Sequence, residues 1–158
     1  MTLLETLGAI LVGLIILSGA ALGLNAAFSS SKLGETEQNL ITMRMQIQHM
    51  FSGSADYTGL DNALAIKAGL VPKPFIKGDA LKNAFGGDIT LTPVIGSAAF
   101  SIKLTNIPQD ECTKLARFQT DAWLSIDVNG NTIDRINATV ADIVNNCADT
   151  NIITFTAR

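Results

Sequence analysis

Positive charge is missing from the start of this chain, where no Lys or Arg occurs before Lys32. A cleaved secretory signal opens on a basic segment, so residues 1–31 do not read as one. Proline is absent from the first 51 residues. Nothing there forbids one long helix. There is a single His and only two Cys, which leaves little for a zinc site or for His-based catalysis. One Trp and one Tyr give no stacking platform for nucleic-acid bases. The net charge is -3 and no Lys/Arg cluster occurs, so duplex DNA is not a partner. Neither a GxxxxGK[ST] phosphate loop nor a GxSxG elbow is found. Charged residues make up only 16% and hydrophobic ones 47%, the reverse of a disordered composition.

What is present is unevenly spread. Residues 6–31 carry no charged side chain, and 19 of the first 28 residues are hydrophobic. Residues 29–158 have an ordinary globular composition. The 158 residues therefore divide into an apolar half-helix, 1–28, and a globular domain, 29–158. The charge-free run is long enough to cross a hydrocarbon core of ~30 Å. Glu5 is the exception at its start, and an ionisable residue there is a functional candidate. Three readings compete for the run: a cleaved signal, a plain anchor, and a helix that is a membrane anchor at one time and a packing rod at another.

The sequence beyond the run favours the third. Leu33, Leu40 and Ile47 recur every seven residues, interleaved with Thr36, Met43 and Met50. Lys32, Glu35, Glu37 and Arg44 lie off this stripe. A helix over the first 51 residues would be ~76 Å long. Leu33, Leu40, Met43, Ile47 and Met50 are the residues expected to pack it on the domain.

The remainder reads as mixed α and β. A short helix is expected over Asp61–Leu70, capped by Asp61 and stopped by Gly69. Asp88–Val94 and Phe100–Leu104 alternate like strands around Gly96. Pro108 opens a helix expected to reach Phe118, with Asp110 and Glu111 in its first turn. Trp123–Val128 and Asn131–Ile136 flank Asn129-Gly130, a type I′ hairpin signal. Val140, Ile143, Val144 and Cys147 share a helical face, and Ile152–Ala157 is a closing strand. The fold class is α+β, a long N-terminal helix on an antiparallel sheet.

Cys112 and Cys147 are either two unrelated buried thiols or one disulfide. An even count in a chain that leaves the cytosol favours the bond. It would be worth ~3–4 kcal/mol on the chain-entropy model. His49 reads as an ordinary surface or packing residue. Asp127, Asn129, Asn131 and Asp134 imitate a calcium loop, but the EF-hand glycine and late Glu are missing and the hairpin turn explains them better. Asn137-Ala138-Thr139 is a glycosylation-type triplet that arises often by chance. No catalytic residue, metal site or cofactor is expected.

The start, Met1-Thr2-Leu3-Leu4-Glu5, followed by the charge-free run, resembles the mature N-terminus of type IV pilins. A first residue of Met is similar to the type IVb branch. Three later stretches resemble the PilS-type pilins of enteric bacteria and of plasmid thin pili. They are Ile47-Gln48-His49-Met50-Phe51, Leu81-Lys82-Asn83-Ala84-Phe85-Gly86-Gly87 and Ile107-Pro108-Gln109-Asp110-Glu111-Cys112-Thr113-Lys114-Leu115. Two departures stand out: the proline that kinks many pilin rods is missing, and so is a basic leader, so the chain reads as the processed form.

The resemblance implies a structural subunit of a type IVb pilus, not an enzyme. Subunits wait in the bacterial inner membrane, of a Gram-negative cell, and then polymerise into an extracellular helical homopolymer. Prepilin peptidase, the assembly machinery and a minor pilin or adhesin are the further partners implied. Met1, N-methylated, and Glu5 are the assembly residues, with Glu5 meeting the Met1 amine of a neighbouring subunit. The resemblance also implies a Cys112–Cys147 bond around the C-terminal region. The alternatives are a type II secretion pseudopilin, a membrane-anchored binding domain that never polymerises and, last, an exported enzyme.

Overall fold

The computed structural model describes residues 2–158, apart from the side chains of residues 17–22, 25 and 26. Two compact units divide it, Met1–Gly34 and Glu35–Arg158. Helix α1, Leu3–Met50, contributes to both.

In the first unit the helix opens on a local cap. The Thr2 backbone N–H donates to Glu5 Oε2 at 3.1 Å, and the Thr6 hydroxyl donates to the Thr2 carbonyl at 3.3 Å. Glu5 thus satisfies one of the donors that every helix N-terminus leaves open, and its charge suits the helix dipole.

The second unit is built on a five-stranded antiparallel sheet of order β3-β4-β7-β5-β6. The strands are β3 Ile89–Pro93, β4 Phe100–Pro108, β5 Ser125–Val128, β6 Asn131–Thr132 and β7 Thr150–Ala157. A separate hairpin pairs β1 Ile76–Lys77 with β2 Ala80–Leu81. Short helices are α2 Asn62–Lys67, α3 Gln109–Ala116 and α4 Val140–Asn146. The C-terminal strand β7 lies in the middle, between β4 and β5. Period-two alternation puts Ile153, Phe155 and Ala157 of β7 in the core beside Phe100, Ile102 and Leu104 of β4.

Strand β4 would lose that alternation after Leu104, because Ile107 is an odd number of residues away. A bulge between the two restores it, and both are fully buried. Asn106 takes the left-handed conformation there, φ 58. The preceding segment laces onto the bulge. Asn83 Nδ2 donates to the Thr105 carbonyl and Asn106 Nδ2 to the Phe85 carbonyl, both at 2.8 Å. Gly87 must be glycine, since a Cβ would lie 1.8 Å from the Thr105 oxygen.

Helix α1 supplies Leu40, Met43 and Ile47 to the core of this unit, all fully buried, with Thr36 buried on the same stripe. Arg44 reaches the Ala122 carbonyl at 2.6 Å and lays its guanidinium over the Trp123 ring, 4.9 Å from the centroid. Met50 does not pack: it is 52% exposed. A heptad pattern drifts around a straight helix by about 20° per repeat, which carries Met50 off the buried face at the last residue of α1. Phe51, just beyond, turns in instead and contacts Tyr57, with ring centroids 5.2 Å apart, and Tyr57 meets Phe100 at 4.7 Å.

Several boundaries differ from the sequence expectation. Helix α3 ends at Ala116, not Phe118, capped by Arg117. Strand β6 stops at Thr132, because Asp134 folds a turn by accepting the N–H groups of Ile136 and Asn137. On α4, Ile143 and Cys147 are buried, while Val140 and Val144 stay about half exposed. The β5–β6 turn has positive φ at both central residues, Asn129 and Gly130, as type I′ requires.

The outer edge of the sheet at β3 is occupied by a side chain. Asn62 Nδ2 donates to the Ile89 carbonyl and its Oδ1 accepts from the Leu91 N–H, both at 2.8 Å. The amide imitates one rung of a neighbouring strand. Pro93 ends the same strand without an N–H to offer.

Candidate functional site

Leu3 and Leu4 are more than four-fifths exposed. Leu7, Ile10, Leu11, Val12, Leu14, Ile15 and Ile16 are more than half exposed, as are Leu24 and Phe28. At 3.6 residues per turn, residues 10–12 and 14–16 spread large apolar side chains around about two-thirds of the helix, and Leu24 falls in the remaining third. A helix apolar all round belongs inside an apolar surrounding, not beside water. Large exposed apolar surfaces mark association or membrane sites. Among the described residues, which omit several side chains in the middle of this stretch, no helix is long and apolar enough to cross a membrane. Glu5 is exposed on this helix and already holds the Thr2 N–H. Met1 lies outside the described residues.

In the second unit, Cys112 and Cys147 form a disulfide, with Cα atoms 6.0 Å apart and a sequence separation of 35. Cys112 is fully buried on α3, and Cys147 caps the C-terminus of α4. The Thr113 hydroxyl approaches Cys147 Sγ at 3.8 Å. The closed loop contains β5, β6 and α4. Beside it, Glu111 is almost completely buried, with Lys114 Nζ 3.4 Å from Oε2. Burial, and then the Glu111 charge, push the Glu37 carboxyl above its usual range.

The carboxylates of the α4 region are committed to local structure. Asp142 accepts the backbone and hydroxyl donors of Thr139, in a reciprocal capping box, at 2.8 Å and 2.7 Å. Those bonds, the hydroxyl first, hold Asp142 below the usual carboxylate range. Asp134 is lowered likewise, first by the Asn137 side chain and then by the Ile136 and Asn137 N–H groups. A depression of about 320 Å³ lies between Asp134 and Asp142, along Ile133 and Asn146. Among the described residues no cluster of His, Cys, Asp or Glu could hold a metal ion. The Asp127–Asn129–Asn131–Asp134 spacing is used by the hairpin: Thr132 donates its hydroxyl to Asp127, and Asn129 bonds across to Asn146 and Asn151.

Of the expected site residues, Leu33, Leu40, Met43 and Ile47 are buried, Met50 is not, and Glu5 is exposed at the helix start. Asn62 and Asn151 were not singled out by sequence. Single amides carry no periodicity, and their roles depend on strands distant in the chain.

A long N-terminal helix with an antiparallel sheet and a disulfide-closed C-terminal loop is the pilin arrangement. The family model described as "PilS N terminal" matches residues 30–158, and the chain belongs to that family. Among solved structures it is similar to a type IVb pilin from Salmonella typhi, with TM-score 0.65 and 23% identity over 77% of this chain and 97% of that one. It is also similar to TcpA, a type IV pilin from the Vibrio cholerae El Tor biotype, with TM-score 0.59 and 18% identity over 81% and 99% of the two chains. These likenesses give the fold. No curated protein matches.

Proposed function

We propose that the chain is the major structural subunit of a type IVb pilus and polymerises through its N-terminal helix. One observation carries this reading: among its described residues, the helix of the first unit exposes large apolar side chains all around its axis. Such a surface needs either lipid or other copies of itself around it. A bacterial inner membrane supplies the first before assembly, and the core of a surface fibre supplies the second. Both solved relatives are described as pilins. The role asks for no cofactor and no catalytic group, so the chain is not an enzyme. Prepilin peptidase and an assembly machine are the partners this life history requires.

Glu5 is the group that distinguishes the two surroundings. Near a helix end it reaches the headgroups of a membrane by snorkelling. In a fibre core its charge is costly unless paired. The amine of Met1 on a neighbouring subunit is the partner we assign, and the pairing fixes the axial register between copies. The test compares sheared supernatant with membranes by immunoblot and electron microscopy. Glu5→Ala is expected to leave normal membrane-bound subunit and at least tenfold fewer fibres, while Glu35→Ala leaves fibres intact. Abundant fibres from the Glu5→Ala strain would overturn the register mechanism.

A further inference from the structure

Asn151 sits fully buried on β7 and makes four short contacts. Its Nδ2 donates to the Ile107 carbonyl at 3.0 Å and to the Ala148 carbonyl at 2.7 Å. Its Oδ1 accepts the Ala148 N–H at 2.6 Å and Asn129 Nδ2 at 2.8 Å. Both donors and both lone pairs of the amide are used, as a buried amide demands. Two of the tethered residues are neighbours of the disulfide. Ile107 is the next-to-last residue of β4, just ahead of the helix that carries Cys112, and Ala148 directly follows Cys147. One side chain therefore holds together, without a covalent bond, the same two chain segments that the disulfide joins.

We propose that Asn151 is the positioning residue for oxidation of this domain: it brings Cys147 to Cys112 before the bond forms. Three features support this order. The hub lies on the central strand of the sheet, between β4 and β5, so it is set when the sheet closes. Asn129 extends it to the type I′ turn and, through its second hydrogen bond, to the Asn146 carbonyl at the end of α4. Cys147 is therefore anchored on both sides of its backbone. The Thr113 hydroxyl then meets Cys147 Sγ from the α3 side. Oxidation itself needs an acceptor. The two thiols give up two protons and two electrons to a disulfide oxidant such as glutathione disulfide, which leaves as two thiols. Asn151 acts on this equilibrium by raising the effective concentration of one thiol at the other.

The test is a glutathione redox titration of the full-length chain in detergent micelles, with thiol alkylation and mass spectrometry reading the Cys112–Cys147 fraction. Asn151→Ala should lower the effective thiol concentration by about tenfold or more, because several buried hydrogen bonds are lost together. Asn62→Ala is the control: it also unpairs backbone groups, the Ile89 carbonyl and the Leu91 N–H, but keeps every tie of Asn151 and touches neither cysteine segment. It should change the equilibrium by less than about threefold. Equal losses in the two variants would overturn the proposal, since general destabilisation would then explain both. The second arm uses the Cys112→Ser/Cys147→Ser chain and decides the matter alone should Asn151→Ala fail to fold. Slow hydrogen exchange at the Ala148 N–H without the crosslink is expected; exchange at the rate of an open chain would overturn it.

Discussion

Leu7, Leu11 and Ile15 belong to the same helix as Leu40, Met43 and Ile47, yet the first three are exposed and the last three fully buried. The residue types are alike; what differs is what surrounds them. In residues 35–158 the apolar stripe is one-sided and meets the core of its own unit. In the first unit the described large apolar side chains from Leu3 to Phe28 lie on many sides of the helix and are exposed. Stability in the second unit is therefore a property of the monomer, while in the proposed function the apolar side chains of the first are buried by lipid or by other copies. Charge follows the same division. Between residues 6 and 31 there is no charged side chain, whereas the second unit uses its carboxylates as caps and buried partners.

The largest effect that sharpens this contrast is removal of the first 25 residues. A chain starting at Ala26 is expected to be soluble, folded and monomeric by ultracentrifugation, and to form no fibres. An aggregated or unfolded fragment by circular dichroism would break the two-unit description. Next, single truncations should cost very different amounts along one helix. Met43→Ala removes a fully buried side chain and should cost roughly 2–5 kcal/mol in urea unfolding of that fragment. Met45→Ala, two residues on and exposed, should stay within about 0.5 kcal/mol. Equal costs would show that the stripe assignment is wrong.

A smaller effect concerns how copies meet. The sheet edge at β3 is closed by Asn62, and the opposite edge strand β6 has only two residues. In the fibre proposed above, copies crowded by their helices would thus be kept from joining edge to edge. Asn62→Ala should cost about 1–3 kcal/mol, since it unpairs two backbone groups. It should also produce concentration-dependent association of the Ala26 fragment in light scattering. A monomeric Asn62→Ala fragment would limit the residue to a stabilising role.

Much of this was legible in the sequence wherever a period or a turn rule applied. The stripe through Leu40, Met43 and Ile47, the Asp61 cap, the Asn129-Gly130 turn and the strand from Ile152 are local patterns set by local physics. Met50 was misjudged because a strict heptad ignores the drift of a straight helix and the turn that brings Phe51 inward. The β1–β2 hairpin was missed because two-residue strands are too short to alternate. Asn62 and Asn151 were invisible for another reason: each works by meeting backbone groups that only the assembled sheet brings near. The sheet order, with β7 inserted between β4 and β5, is likewise a long-range fact.

The smallest predicted effects test the charges of the second unit by their opposite pH dependence. Asp142 is held below the usual carboxylate value of 3.8 by the bonds from Thr139. Its contribution is present above that value and is lost as pH falls through the lower folded-state value. Asp142→Asn should therefore be less stable than the parent at pH 7, with the difference closing in acid. Glu37 is raised above 4.5 by burial and by Glu111. A carboxyl that holds its proton more tightly when folded penalises folding once it ionises, so the penalty exists above the folded-state value and vanishes as pH falls through it. Glu37→Gln should accordingly unfold at a slightly higher temperature than the parent at pH 7, and at the same temperature once the pH is below 4.5. Calorimetry of the Ala26 fragment across that range reads both. Shifts of the same sign in the two variants would mean that the carboxylate at Glu37 is stabilising, and that its partners on α3 compensate its burial.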